Sequence, residues 1–257
     1  MRIMTSNIWG DYFGNEVETR QGGLIETFFR YSPDIIGFQE VTGNWYNGEL
    51  FKQLSKEYCF SGTEIYGSKN FVPFAYKKAF ASKLRESGYE MLTDTPDISK
   101  AITWAYFEDG EKSFAVCNTH FWWKTGEEHD RIRDKNAKQL VRLMKYINEK
   151  YSCPVFAFGD MNTKISSSVF EVYKENGILH LYDIAKEKYD RCSHHGDPQR
   201  GDDGKYHGKT TDKTHNDSID HIVCLGFSGE VLSYNVVEDT VALDATDHSP
   251  VYADINI

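Results

Sequence analysis

The chain has 257 residues, with 29 Lys and Arg against 39 Asp and Glu and a formal charge of −10 at pH 7. That length suffices for one large domain with a sizeable core, and the acidic balance disfavours a polynucleotide partner, since nucleic-acid binders carry a basic face that neutralises phosphates. Five cysteines, odd in number and without a Cys-x-x-Cys pair, argue against a disulfide framework and a zinc ribbon, and no run of about 18 apolar residues marks a membrane span.

In chain order, short apolar runs rich in β-branched and aromatic residues predict strands over 2–8, 34–39, 72–80, 102–108, 113–119, 154–159, 219–224, 229–237 and 250–256. Apolar residues at helical spacing predict helices over 18–31 (Leu24, Ile25, Phe28, Phe29) and 129–150 (Ile132, Leu140, Leu143, Met144, Ile147). A third helix is expected over 166–176, with Ser166 to Ser168 as candidate caps and Gly177 as the stop. The stretch 190–217 is dominated by Asp, Gly, His and Lys and reads as a long surface loop, substrate-facing or disordered. Mixed strands and helices of this kind predict sheets covered by outer helices. One domain over 1–257 is expected, because polar clusters spread from residue 7 to residue 248 and both ends must meet to build one site. A monomer in a reducing cytoplasm is the expected state, as the chain starts at once with a strand and shows no leader.

Several of these apolar runs end on polar residues suited to chemistry. Asn7 follows the first, Glu40 the second, His120 the fifth, and Asp160 with Asn162 the sixth, while Asp247-His248 stands at the mouth of the last. Glu40 and Asp247 offer carboxylates and Asn7 an amide oxygen to a hard divalent cation. His248 has an ordinary pKa near 6.5, so a neighbouring carboxylate can keep it protonated near neutrality, and Asp220 is the candidate to orient it. Asp160 and Asn162, two residues apart, share a side if the chain stays extended, which would let one handle a water and the other donate to a phosphoryl oxygen.

Thr5-Ser6-Asn7, Phe38-Gln39-Glu40-Val41, Asn118-Thr119-His120, Gly159-Asp160-Met161-Asn162, Ser218-Ile219-Asp220-His221 and Asp247-His248-Ser249-Pro250 resemble, in order, the motifs of the endonuclease/exonuclease/phosphatase superfamily. The resemblance implies a DNase I-like α/β (α+β) four-layer sandwich, with two packed mixed β-sheets flanked by helices. It also implies Mg²⁺-dependent phosphoester hydrolysis, with Mn²⁺ as a substitute. Carried over, it makes Glu40 the principal metal ligand with Asn7 and Asp247 nearby, and Asp160 the residue that positions or deprotonates the attacking water. His120 and Asn162 would contact the scissile phosphate and Asp220 would support His248; whether Asp160 or His248 is the first base stays open.

A histidine at position 120, where abasic-site nucleases of the superfamily often have tyrosine, disfavours abasic-site repair. The expected substrate is a small-molecule or lipid-derived phosphoester, with a nuclease cutting DNA or RNA as the alternative and a non-catalytic binding protein behind both. Three further features are weighed. Trp122 and Trp123 either wall the substrate or pack. Arg131 and Arg133 either reach a phosphate or face solvent. His194, His195, His207 and His215 with Asp202, Asp203, Asp212 and Asp217 offer the ligand types of a second metal site, but their spacing fits no zinc motif.

Overall fold

Side chains alternate between the two faces of a strand, so a strand apolar at every position must be covered on both sides. Arg2–Asn7, Ile35–Gln39, Phe114–His120 and Val155–Asp160 each carry an apolar run that closes on polar residues, and apart from Arg2 every residue in them is buried. The computed structural model describes residues 1–257, the side chain of Glu111 apart, and places these strands in two sheets packed face to face.

The seven-stranded sheet runs in the order Ala185–Lys188, Glu230–Val236, Val251–Asn256, Arg2–Asn7, Ile35–Gln39, Phe74–Lys77, Tyr58–Ser61. The six-stranded sheet runs Leu179–His180, Asp220–Leu225, Val155–Asp160, Phe114–His120, Ala101–Phe107, Leu84–Met91. Ile3, Ile35, Phe156 and Phe158 meet between the sheets, each such side chain contributing about 1.5–3 kcal/mol on full burial. Their chain neighbours point the other way. Met4 and Ile36 pack on the helical layer carrying Leu24, Phe28 and Trp45, while Val155 and Ala157 pack on Leu140, Met144 and Ile147 of the Glu127–Tyr151 helix. The result is the expected four-layer, DNase I-like arrangement.

Two parallel pairings set the position of the site. Arg2–Asn7 lies parallel to Ile35–Gln39, with the Gln21–Tyr31 helix in the connection, and Phe114–His120 lies parallel to Val155–Asp160, with the Glu127–Tyr151 helix between. Parallel strands end at the same edge, and here Asn7 pairs with Gln39 and His120 with Asp160. The antiparallel neighbours begin where those strands end: Asp220 opens its strand opposite Asp160, and His248 precedes Val251. Seven of the predicted polar positions therefore share one rim. Beneath it the sheets are tied by a buried bond from Gln39 Nε2 to Asn118 Oδ1 (2.6 Å), while Asn118 Nδ2 donates to the carbonyls of Phe38, Val72 and Pro73.

The nine predicted strands and three predicted helices are present with shifted ends; the run 72–80 contracts to Phe74–Lys77 followed by a 3-10 turn. The strands of the two main sheets that lack a sequence prediction are their edges. Leu84–Met91 and Ala185–Lys188 are edge strands carrying Arg85, Glu86, Lys186 and Glu187, and charge on an edge blocks further pairing while erasing the alternation. The stretch 190–217 is not wholly a surface loop: Cys192, Ser193, Tyr206 and His215 are buried, and Gln199–Arg200 pairs with Tyr206–His207. No helix among the described residues is long and apolar enough to cross a membrane.

Gly159 has φ +148°, and an added Cβ there would lie 1.9 Å from the Thr119 carbonyl oxygen on the neighbouring strand. With strands paired on both sides, that backbone has no room to retreat. Gly159→Ala is expected to destabilise the protein by about 1–3 kcal/mol, read as a lowered midpoint in a circular-dichroism melt. An unchanged midpoint would show that the close approach is not a constraint.

Candidate active site

The rim gathers Asn7, Glu40, His120, Asp160, Asp220, Asp247 and His248. Asp160, 2 % exposed, lies at its centre: its Oδ2 accepts from Asn7 Nδ2 at 3.0 Å and lies 3.4 Å from His120 Nε2 and 3.8 Å from His248 Nε2. Asn7 Nδ2 also donates to Glu40 Oε1 (3.1 Å), so one amide bridges two carboxylates. Its Oδ1 meanwhile accepts from the Trp9 amide at 3.0 Å. In this rotamer Asn7 turns nitrogen, not oxygen, toward the carboxylates, and donating its oxygen to a cation would require the amide to turn over.

Glu40 leaves its strand with φ +62°, and Trp9 and Asn162 have φ +57° and +50°. Non-glycine residues in this region cost about 1–3 kcal/mol each and persist where surrounding bonds impose them. Those bonds are present: Gly10 N donates to Glu40 Oε2 (2.8 Å) and Asn162 N to Asp160 Oδ1 (2.9 Å). The second of these corrects the extended geometry expected for Asp160 and Asn162. The chain turns at Asn162, whose Nδ2 donates to the Phe121 carbonyl at 3.2 Å.

His248 is held by Asp220, whose Oδ2 lies 2.8 Å from His248 Nδ1. Burial alone would lower the imidazole pKa, but Asp220, Asp247 and Asp160 together outweigh it and raise it well above its ordinary value, so the ring is an imidazolium. Burial pushes the Asp160 carboxyl up to about 7, with the Asp220 charge adding to the effect, and pushes Asp247 up to about 6, with Glu40 adding to it. Carboxylates so crowded that burial and mutual repulsion favour their protonation fit a divalent cation. Glu40 and Asp247 are the residues that would hold it, and when bound it would neutralise charge on a phosphoryl oxygen.

Several contributors to the rim carry no signal in the sequence. Lys100, 3 % exposed, places Nζ 2.8 Å from His120 Nε2. Burial lowers it to about 8, while burial and then Lys100 keep His120 well below its ordinary value, so that ring is neutral. A single lysine at a strand entrance carries no signal that separates it from surface lysines. Ser193 Oγ donates to Asp220 Oδ2 at 2.7 Å, and the segment behind it straps the Thr246–Ser249 turn: His194 bridges His248, and His195 N donates to the Asp247 carbonyl at 3.1 Å. Arg20, 1 % exposed, donates to the carbonyls of Ile8, Trp9, Asn15, Glu16 and Ala245, fixing the loops around Asn7 and Asp247.

The remaining candidates resolve by packing. Trp122 is buried with Nε1 donating to His129 Nδ1 (2.9 Å), whereas Trp123 is 51 % exposed. Arg131 is exposed and paired with Glu127, and Arg133 is buried on the carbonyls of Trp122 and Lys124, so neither is directed at a phosphate. The histidines and aspartates of 194–217 do not converge: His194 lies on His248, His207 pairs with Asp203 at the surface, and His215 packs against His180 and His221.

The Asp220–His248 pair has a definite pH signature. Its ordered form is the protonated imidazole, so the stability it contributes is complete below about 6.5, the unfolded value, and is lost as pH rises through the raised folded value. In Asp220→Asn, with the facing charge gone and burial unchanged, the His248 titration midpoint followed by NMR is expected to fall by about 1–3 pH units. A midpoint unmoved by the substitution would mean that Asp220 does not hold the charge.

The family model described as Endonuclease/Exonuclease/phosphatase family matches residues 4–248. No curated protein matches the chain. Among solved structures, a mannosyl-6-phosphatase of Bacteroides thetaiotaomicron superposes with a TM-score of 0.77 at 18% identity over 100% of both chains. An endonuclease/exonuclease/phosphatase from Bacteroides vulgatus superposes with a TM-score of 0.78 at 24% identity, covering 100% of this chain and 98% of the other. Truncated TDP2 of Caenorhabditis elegans superposes with a TM-score of 0.73 at 16% identity over 100% and 97%. At these identities the likeness carries the fold, while the family model, spanning nearly the whole chain, carries the membership: the chain belongs to the endonuclease/exonuclease/phosphatase family and is a phosphoester hydrolase.

Proposed function

We propose that the chain is a Mg²⁺-dependent phosphatase or phosphodiesterase acting on a small-molecule or lipid-derived phosphoester. The observation that carries this reading is the buried Asp160 carboxyl, pushed to about 7 and flanked by a neutral and a charged imidazole. A carboxylate with that pKa is matched to take a proton from water near neutrality. Asp160 is the general base in this reading, and Asn7 and the Asn162 amide fix its two oxygens. His248, charged and oriented by Asp220, donates to a phosphoryl oxygen or the leaving oxygen. Lys100, beside His120, adds positive charge where the phosphoryl oxygens gather. Glu40 and Asp247 would hold Mg²⁺, which would supply charge neutralisation on the phosphate.

Three features support a small substrate: the formal charge of −10, the pairing of Arg131 and Arg133 within their own helix and turn, and the exposure of Tyr12, Phe13 and Trp123. Exposed aromatics suit the ring face of a sugar or an apolar, lipid-derived leaving group better than a duplex backbone. A different class of activity, duplex or single-strand cleavage, would call for a basic track along the rim.

Purified protein assayed with a phosphomonoester panel and bis-p-nitrophenyl phosphate is expected to turn over only with Mg²⁺ or Mn²⁺. Asp160→Asn should lower kcat by about 10²–10⁴-fold, and Lys100→Met should lower kcat/KM by about 10²-fold. Turnover equal to that of Asp160→Asn would defeat the reading, and plasmid nicking abolished by Glu40→Gln would move the substrate to nucleic acid.

A further inference from the structure

We propose that His180, His215 and His221 form a binding site for a transition-metal cation of zinc type, separate from the carboxylate rim. The three come from different elements: His180 ends the Leu179–His180 strand, His215 opens a 3-10 turn, and His221 is the second residue of the Asp220–Leu225 strand. Adjacent strand residues face opposite sides, so His221 points away from the site to which its neighbour Asp220 belongs. All three are buried, and one ring nitrogen of each lies within 4.8 Å of the others.

His180 Nε2 and His221 Nδ1 are 3.2 Å apart. Tetrahedral ligands at a zinc–nitrogen distance of about 2.0–2.1 Å stand roughly 3.4 Å from one another, so this pair already has the spacing of two ligands. His221 Nε2 lies 2.8 Å from the Thr163 carbonyl and donates to it, which fixes the tautomer with Nδ1 unprotonated, the lone pair that accepts from His180 Nε2 being the one that would ligate. His215 is 1 % exposed, and neither of its nitrogens has a hydrogen-bond partner. Its ring is held by stacking on Tyr182 at 3.7 Å, and the Tyr234 hydroxyl in the same ring cluster is unpartnered as well. A buried imidazole with two unmet nitrogens is costly as mere packing; one bond to a cation removes that cost.

Burial keeps all three rings neutral near pH 7, which is the form that binds metal. A cavity of about 380 Å³, bordered by Phe170, Leu179, His180 and Asp183, reaches one of the three rings, that of His180. A bound ion would join the turn before Ser218, the strand bearing Asp220 and, through Thr163, the segment after Asn162. It would serve as a mount for the catalytic side of the rim and not as part of the chemistry.

The full chain, stripped with chelator, is titrated with Co²⁺ and then Zn²⁺ without Mg²⁺. About one equivalent of Co²⁺ is expected to give the intense visible bands of a four-coordinate, nitrogen-rich site, displaced by Zn²⁺, with a raised thermal midpoint. The bands should persist in Asp160→Asn/Asp247→Asn, where the carboxylate rim is disabled. In His215→Gln the affinity should fall by more than about 100-fold, beyond the 10–100-fold typical of losing a supporting contact. Should that variant not fold, His180→Gln, at the cavity edge, gives the same readout. Absence of the bands in the wild-type chain, or bands kept in His215→Gln or His180→Gln and lost in the double asparagine variant, would overturn the proposal. Neither result bears on phosphoester hydrolysis at the rim.

Discussion

The constraint on which the rest depends is the confinement of four carboxyl groups, Glu40, Asp160, Asp220 and Asp247, at one rim, where burial and neighbouring charge push Asp160 and Asp247 toward protonation. The sheets impose it: parallel strands end there, antiparallel strands begin there, and the register opposing Asp160 to both His120 and Asp220 leaves no freedom to spread the charges apart. Everything around the rim offsets that repulsion. His248 carries the compensating positive charge, Lys100 adds another, Asn7 bridges two carboxylates, and Ser193, Gly10 and Asn162 each donate to one oxygen.

Holding such a cluster together requires a stiff frame, and the polar core beneath the site supplies it. The Gln39–Asn118 bond joins the sheets directly under Glu40 and His120, so neither residue can drift without breaking buried hydrogen bonds. Arg20 does the same for the loops. Its guanidinium spans carbonyls from residues 8 to 245 and lies against the rings of Trp9 and Trp45, linking the two ends of the chain that supply Asn7 and Asp247. The left-handed backbones at Trp9, Glu40 and Asn162 are tolerated because these contacts impose them.

What was legible in the sequence follows from the same physics. Strands buried on both faces carry a continuous apolar run, and polar residues closing such a run are conspicuous; Asn7, Glu40, His120 and Asp160 stand out in this way. Edge strands such as Leu84–Met91, paired on one side and charged, carry no such contrast. Lys100, Arg20 and Ser193 were illegible for a different reason: each acts by being buried, and burial of a lysine, an arginine or a serine in a polar loop depends on what the rest of the chain brings over it. His215 sits in sequence among histidines and aspartates that do not converge; of the two histidines that lie against it, His180 is separated from it by four elements and His221 belongs to the next strand.

The central claim is that Glu40 and Asp247 face a cation while Asp160, His120, Lys100 and His248 face the phosphate. A crystal structure of the protein with Mg²⁺ and inorganic phosphate tests it most directly. The account predicts a Mg²⁺ ion at about 2.1 Å from oxygens of Glu40 and Asp247, with the phosphate seated against His120, Lys100 and His248 and one of its oxygens, or a water, within hydrogen-bond reach of Asp160. A cation held by Asp160 and Asp220 with Glu40 uninvolved, or phosphate bound away from the imidazoles, would contradict it.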